Sequence, residues 1–397
     1  MASSTPKLLL KHLVSPNTLQ KGPYPEKLTE KLATLFKTKV FVVNSGRSAI
    51  FLALKALGVG QSDEVLVQAY TCNAVPNPVL WVGATPVYVD IEEKILNMDP
   101  KDLEAKITLR TKAIIVQHTF GNPAKIKEIL KIADNHKLKV IEDCAHSLGA
   151  KVDGRLLGTF GDLAILSFGR EKVISSLTGG ALLVNNEALV EAVEDEIKFL
   201  KPLPLGNILR EINNYFSWRL LFRKLLSKEW GSSLVRYLYQ FDLVNVVTSQ
   251  KELSGQNPGW YPTLLPNVFA HVACEELDNV DSYNVRRGEV AHIYREKVKE
   301  NSLKLLPAHE GIYLRVVAFH PQAKRIFEEG RAQKIPFGNW YNSVIYPESV
   351  HLSKFGYQSG SCPVAEKLAA QTINLPNFPR ITEAETDRVV EFLQKFS

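Results

Sequence analysis

Seven short runs rich in β-branched and aliphatic residues punctuate the first half of the chain: Val40–Val43, Val65–Gln68, Pro86–Asp90, Ala113–Gln117, Lys139–Glu142, Leu163–Ser167 and Ala181–Val184. Several are followed by stretches with helical spacing, such as Ala49–Leu57 and Lys125–His136. Strands that are apolar almost throughout are covered on both faces, and interleaved helices supply that cover. The pattern predicts an α/β fold with a mostly parallel sheet. In such sheets ligands bind beyond the carboxyl ends of the strands, so chemistry is expected just after each run.

The 397 residues suffice for a large α/β domain and a smaller companion. A turn-rich stretch, Ser254–Gly259, places the boundary near residue 255. The large domain would then span 1–255. A small α+β domain would span 256–397, opening with a long helical run, Val268–Glu300. Residues 206–247 differ in texture, with Trp, Tyr, Phe and Leu among Arg and Lys. They read as a helical insertion packed on its own domain or on a second subunit; a basic amphipathic helix lying on a membrane surface is the second reading. The net charge of +6 is not gathered in basic blocks, so nucleic acid is not an expected partner. No run of 18 apolar residues occurs, so no transmembrane span is expected, nor does the N-terminus read as a secretory leader. Cys72, Cys144, Cys274 and Cys362 are isolated, without a CxxC pair. Neither a metal site nor a disulfide framework is expected, and the cytoplasm is the default compartment.

Three stretches carry candidate chemistry. In VVNSGRSAIFLAL a strand runs into Ser45, Gly46 and Arg47 and then a helix. Free N–H groups and the positive dipole end bind phosphate there, although Ser and Gly also suit an ordinary helix cap. In KVIEDCAHSLGA an apolar strand ends at Glu142 and Asp143, with His146 three residues on. A carboxylate there can pair with a protonated pyridine nitrogen, or simply cap the next helix. In LSFGREKVISSLTGGALLV a strand ends at Ser167, a loop carries Lys172, and Gly179-Gly180 lead into another strand. A desolvated lysine has a lowered pKa and becomes nucleophilic toward an aldehyde, whereas a solvated loop lysine does nothing. The paired glycines would let backbone pass close to a bound ring.

With this order of motifs the chain resembles the DegT/DnrJ/EryC1/StrS family of sugar aminotransferases. The resemblance runs from KGPYPEKLTEKLATLFKTKVFVVNSGRSAIFLAL through VIEDCAHSLGA and GRLLGTFGDLAILSF to CPVAEKLAAQTINLPNFPRITEAETDRVVEFL, with residues 206–247 outside it. It implies the fold-type-I (aspartate-aminotransferase-like) architecture, a seven-stranded, mostly parallel sheet, and pyridoxal 5'-phosphate as cofactor. Lys172 would hold the cofactor as a Schiff base and Asp143 would face its ring nitrogen. His146 would lie near its phenolic oxygen. Ser45, Gly46, Arg47 and Ser167 would hold its phosphate. By register Cys72, with Tyr70 nearby, takes the place of a stacking aromatic. Leu177-Thr178 and GWYPTLLPN (Gly259–Asn267) depart from the family pattern, and Arg170 is a candidate for compensating positive charge. The implied reaction moves an amino group from glutamate to a keto-sugar, nucleotide-linked, in cell-surface polysaccharide or secondary-metabolite sugar biosynthesis, by a homodimer. A sugar dehydratase of the same family would carry histidine in place of Lys172. A non-catalytic regulatory protein that binds the cofactor is the other alternative.

Overall fold

The computed structural model describes residues 4–219, 248–299 and 303–396. Its central sheet has seven strands: β1 (Lys39–Val43), β2 (Glu64–Gln68), β3 (Thr85–Val89), β4 (Thr111–Gln117), β5 (Lys139–Asp143), β6 (Leu163–Ser167) and β7 (Gly180–Val184). Their order is β1-β7-β6-β5-β4-β2-β3, and β7 alone runs against the rest. These are the seven runs read from the sequence, each placed within two residues of its expected bounds.

Burial explains why the runs are apolar throughout. Leu163 and Ile165 join the core on one face of the sheet, with helix Gly46–Ala56. Ala164 and Leu166 join the core on the other, with Leu28, Leu32 and Phe36 of helix Tyr24–Phe36. Alternate side chains of one strand thus face two different cores, and neither face is free to be polar.

The expected helical run Val268–Glu300 is two helices, Asn267–Leu277 and Val280–Lys297. The break falls at Asp278-Asn279. Asn279 Nδ2 donates to the Glu275 carbonyl at 2.8 Å, and asparagine side chains that bond nearby backbone in this way compete with helix continuation. The first of these helices packs on Tyr24–Phe36 in the core of the large sheet. The second belongs to a separate core with Ile326, Phe337, Ile373, Val389 and Phe392, built around a three-stranded antiparallel sheet of β8 (Lys304–Leu305), β9 (Val316–Phe319) and β10 (Thr372–Leu375).

Two stitches join this smaller unit to the carboxyl edge of the large sheet. Residues Thr71–Cys72 pair in parallel with Ile345–Tyr346. The Ile312 and Leu314 N–H groups donate to the carbonyls of Gly121 and Phe120, at 3.1 and 3.0 Å. Of the 206–247 stretch, the described part is helix Leu205–Ser217, which buries Ile208 and Ile212 in the large core. Residues 220–247 lie outside the described residues, and so does most of what the membrane-surface reading concerns. Among the described residues no helix is long and apolar enough to cross a membrane.

Candidate active site

The carboxyl end of β1 delivers the chain into helix Gly46–Ala56. Ser45 caps it, its hydroxyl accepting the Ser48 N–H at 3.1 Å. Ser167, at the end of β6, lies beside this turn: a Cβ on Gly46 would stand 3.1 Å from the Ser167 Cβ. The start of β7 closes the cradle. A Cβ on Gly180 would meet the Ser45 carbonyl carbon at 2.5 Å and the Gly46 nitrogen at 2.6 Å. The close approach that Gly180 allows is to the cradle's own backbone.

The Arg47 side chain turns into the protein. Its Nη1 donates to the Tyr261 hydroxyl at 3.0 Å and its Nε lies 3.1 Å from Glu252. Burial works against its charge, but Glu252 and Tyr261 outweigh that and hold its proton affinity above the usual arginine value. The Arg47 backbone N–H, at the helix start, is the group it offers to the cradle. The Gly259–Asn267 segment lies against the same turn, where the Thr263 carbonyl accepts the Asn44 N–H at 3.0 Å and the Trp260 carbonyl accepts Asn44 Nδ2 at 3.1 Å. Arg170 pairs with Glu211 at 2.8 Å, so its charge is spent on helix Leu205–Ser217.

At the end of β5 two adjacent carboxylates have different environments. Glu142 is wholly buried and accepts the N–H groups of Gly158 and Gly161, at 2.9 and 2.8 Å. It also lies 3.2 Å from His118 Nε2. The other His118 nitrogen accepts the Ala124 N–H at 3.1 Å, which puts the proton on Nε2. His118, Glu142 and Cys144 lie within 4.8 Å of one another, but these hydrogen bonds commit the first two to closing the loop after β5. Among the described residues, the Asp143 carboxylate accepts one hydrogen bond, from the Ala145 N–H at 3.0 Å. Burial pushes its pKa up, while the Ala145 N–H pulls it down.

Lys172 Nζ lies 2.9 Å from His146 Nε2. His146 Nδ1 accepts the Phe120 N–H at 3.3 Å, so a neutral imidazole carries its proton on Nε2. That N–H needs a lone pair opposite it, and Nζ has one only as a neutral amine. The electrostatics agree. Burial lowers the Lys172 pKa, and burial, with Arg315 acting in the same direction, drives that of His146 well below its ordinary value. Cys72, half-buried, and Asp143 act on Lys172 in the opposite sense.

Sequence reasoning missed the aromatic wall. Trp340 stacks on His146 with centroids 5.9 Å apart, and Phe120 stacks on His146 at 5.5 Å. Trp340 also underlies Lys172, whose amine is 5.5 Å from the indole centroid. The aromatic cluster in PFGNWYNSVIY was the available sign, but nothing local says which strand edge it meets. Arg315, above the same indole, was missed as well. Tyr70 is fully buried between the two units, its hydroxyl 2.7 Å from Thr372 Oγ1.

A phosphorylated pyridine aldehyde fits these groups. The cradle presents helix N–H groups where two strands and a turn crowd together. The buried Asp143, short of hydrogen bonds, is suited to a cationic ring nitrogen, and a neutral lysine amine stands near it. Fold and site together define a pyridoxal-phosphate-dependent aminotransferase. The family model described as the DegT/DnrJ/EryC1/StrS aminotransferase family matches residues 5–201 and 232–394, and the chain belongs to that family. It is 31% identical to a UDP-N-acetyl-3-dehydro-alpha-D-glucosamine 3-aminotransferase of Acidithiobacillus ferrooxidans, over 88% of this chain and 82% of that protein. It is 28% identical to a GDP-perosamine synthase of Escherichia coli O157:H7, over 95% and 91%. Among solved structures, DesV of S. venezuelae superposes with a TM-score of 0.76 at 25% identity, over 99% of this chain and 94% of that one.

Proposed function

We propose that the chain moves an amino group from glutamate to a keto-sugar carried on a nucleotide, in the making of a cell-surface polysaccharide or a secondary-metabolite sugar. The carrying observation is the buried Lys172 amine, hydrogen-bonded to His146 at 2.9 Å, with Asp143 acting on its charge. The relatives named for UDP- and GDP-linked sugars support the substrate class.

Pyridoxal phosphate, when bound, supplies an aldehyde that condenses with amines and a ring that takes up the electron pair left by a broken C–H bond. The chain's own residues supply the rest. Ser45, Gly46 and Arg47 offer N–H groups to the phosphate, with the Ser167 hydroxyl beside them. Asp143 gives the counter-charge that keeps a ring nitrogen protonated. Lys172 Nζ, being neutral, takes the proton from the donor's α-carbon and, once charged, gives it back. His146 orients that amine, and the Phe120 N–H fixes the imidazole. The working unit in this reading is a cytoplasmic homodimer, with domains 1–255 and 256–397.

Replacing Lys172 by Ala is expected to abolish both the yellow colour of the loaded protein and its turnover; retained colour and turnover would end the assignment. An absorbance scan after adding glutamate separates an aminotransferase from a regulatory protein, which would bind the cofactor and leave it unconverted.

A further inference from the structure

Arg315 immediately precedes β9, and the Leu314 N–H fixes its place by donating to Phe120 in the large unit at 3.0 Å. Its guanidinium lies over the Trp340 ring, 4.7 Å from the centroid, and the Lys172 amine is 5.5 Å from that same centroid. The guanidinium and the Lys172 amine thus share one indole ring. Arg315 Nη2 donates to Glu171 at 2.7 Å, while its Nε is buried without a hydrogen-bond partner. Glu171 is 59% exposed and sits at φ +61°, an uncommon conformation for a residue with a side chain. Arg287 places further positive charge near the fork, since Arg315 lowers its proton affinity.

We propose that Arg315 is the specificity-determining anchor for the amino donor's α-carboxylate, and that Glu171 occupies this anchor until the donor displaces it. The proposal rests on the transamination reading above. A guanidinium takes a carboxylate through two parallel N–H bonds. Here the Nε side is free and the Nη2 side is held by one exposed acid, and exposed pairs are weak enough to exchange. Proximity to Lys172 selects the anion. An amino acid carries its carboxylate one carbon from the amine that must reach the Lys172 position. The phosphates of a nucleotide-linked sugar lie further along the molecule from its keto carbon.

The test uses cofactor-loaded protein, with far-UV circular dichroism and cofactor absorbance to show that each variant is folded and loaded. In rapid-mixing spectra, Arg315→Gln should raise the apparent Kd for glutamate about tenfold or more, with Arg315→Lys in between and the limiting rate moving much less. Glu171→Gln should lower that Kd, because it removes the internal competitor. Calorimetric titration with 2-oxoglutarate reads the same contact without turnover: binding should weaken in Arg315→Gln and tighten in Glu171→Gln. Inhibition by UDP should be the same in all of them. Unchanged 2-oxoglutarate binding in Arg315→Gln overturns the proposal. Weakened UDP inhibition with intact 2-oxoglutarate binding also overturns it, by assigning the fork to a phosphate. If the wild-type cofactor spectrum does not respond to glutamate, the transamination reading itself fails, and the 2-oxoglutarate titration still decides Arg315.

Discussion

The Lys172 amine and the His146 imidazole form a hydrogen bond of 2.9 Å whose direction is dictated from the far side of the ring, where the Phe120 N–H takes up Nδ1. A hydrogen bond to the neutral form of a base disfavours its charged form. Replacing His146 by Leu removes that bond, so the Lys172 pKa should rise and the acid limb of the glutamate half-reaction should move to higher pH. The rate at the optimum should fall about 10- to 100-fold. His146→Gln keeps an N–H donor and should recover part of both effects. A pH profile of the spectral half-reaction checks this; an unshifted limb in His146→Leu would show that burial alone sets the lysine's charge.

Asp143 leads to a stability prediction. Burial raises its folded pKa above 3.8. Between 3.8 and that raised value the native state binds more protons than the unfolded one, so stability falls as pH rises through the window. The contribution is fully present below 3.8 and gone above the folded value. At neutral pH the cofactor-free carboxylate is thus a local cost that a bound cation relieves. Asp143→Asn should leave the cofactor-free Tm equal or higher, shrink the Tm gain on adding pyridoxal phosphate, and lower kcat by about three orders of magnitude, roughly 4 kcal/mol of barrier. Thermal melts with and without cofactor test the first two outcomes, and steady-state rates the third.

Why the sheet was legible and the wall was not follows from the range of the interactions. A strand such as Leu163–Ser167 is apolar from Leu163 to Leu166 because Ile165 and Leu166 face different cores, and that requirement is written in the strand's own residues. Asp143 closes one strand and Lys172 sits in the loop after another, places that local sequence marks. Trp340 and Arg315 reach the site only through pairings between distant segments, Tyr346 with Cys72 and Leu314 with Phe120. No local pattern encodes such partners. The break at Asn279 was missed because one side-chain bond to Glu275 interrupts an otherwise continuous helical pattern.

Gly180 is a further point of test because its backbone runs against the phosphate cradle. A methyl group there would sit 2.5 Å from the Ser45 carbonyl carbon and 2.7 Å from the Leu166 carbonyl oxygen. Those neighbours are backbone and have no rotamer to change. Gly180→Ala should therefore separate β7 from the turn, destabilise the fold by about 1–3 kcal/mol as overpacking does, and weaken cofactor binding. Gly206, where a Cβ would meet nothing within 4 Å, is the control. Denaturant midpoints and cofactor titration check both; a Gly180→Ala protein that binds cofactor like the wild type would show that the cradle has slack.

Acid should loosen the N-terminal helix first. Thr18 Oγ1 donates to the Ser15 carbonyl at 2.7 Å, so it accepts from His12 Nδ1, 2.8 Å away. His12 Nε2 is then left to accept from His271 Nδ1 at 3.0 Å, which ties helix Thr5–Leu13 to helix Asn267–Leu277. Protonating His12 would set two N–H groups face to face. Burial lowers the pKa of both histidines, that of His271 to about 4, with Lys11 and Lys27 acting in the same direction and Glu275 against it. Because the folded values lie below 6.5, the unfolded chain binds more protons between them. The stabilisation is fully present above pH 6.5 and lost as pH falls through the folded values. Between pH 6.5 and about 4 the Tm should drop, and limited proteolysis near Ser15 should accelerate. In His271→Gln, whose amide donates without titrating, both changes should shrink. If the variant and the wild type lose stability in parallel, the pair does not titrate as a unit and the acid sensitivity lies elsewhere.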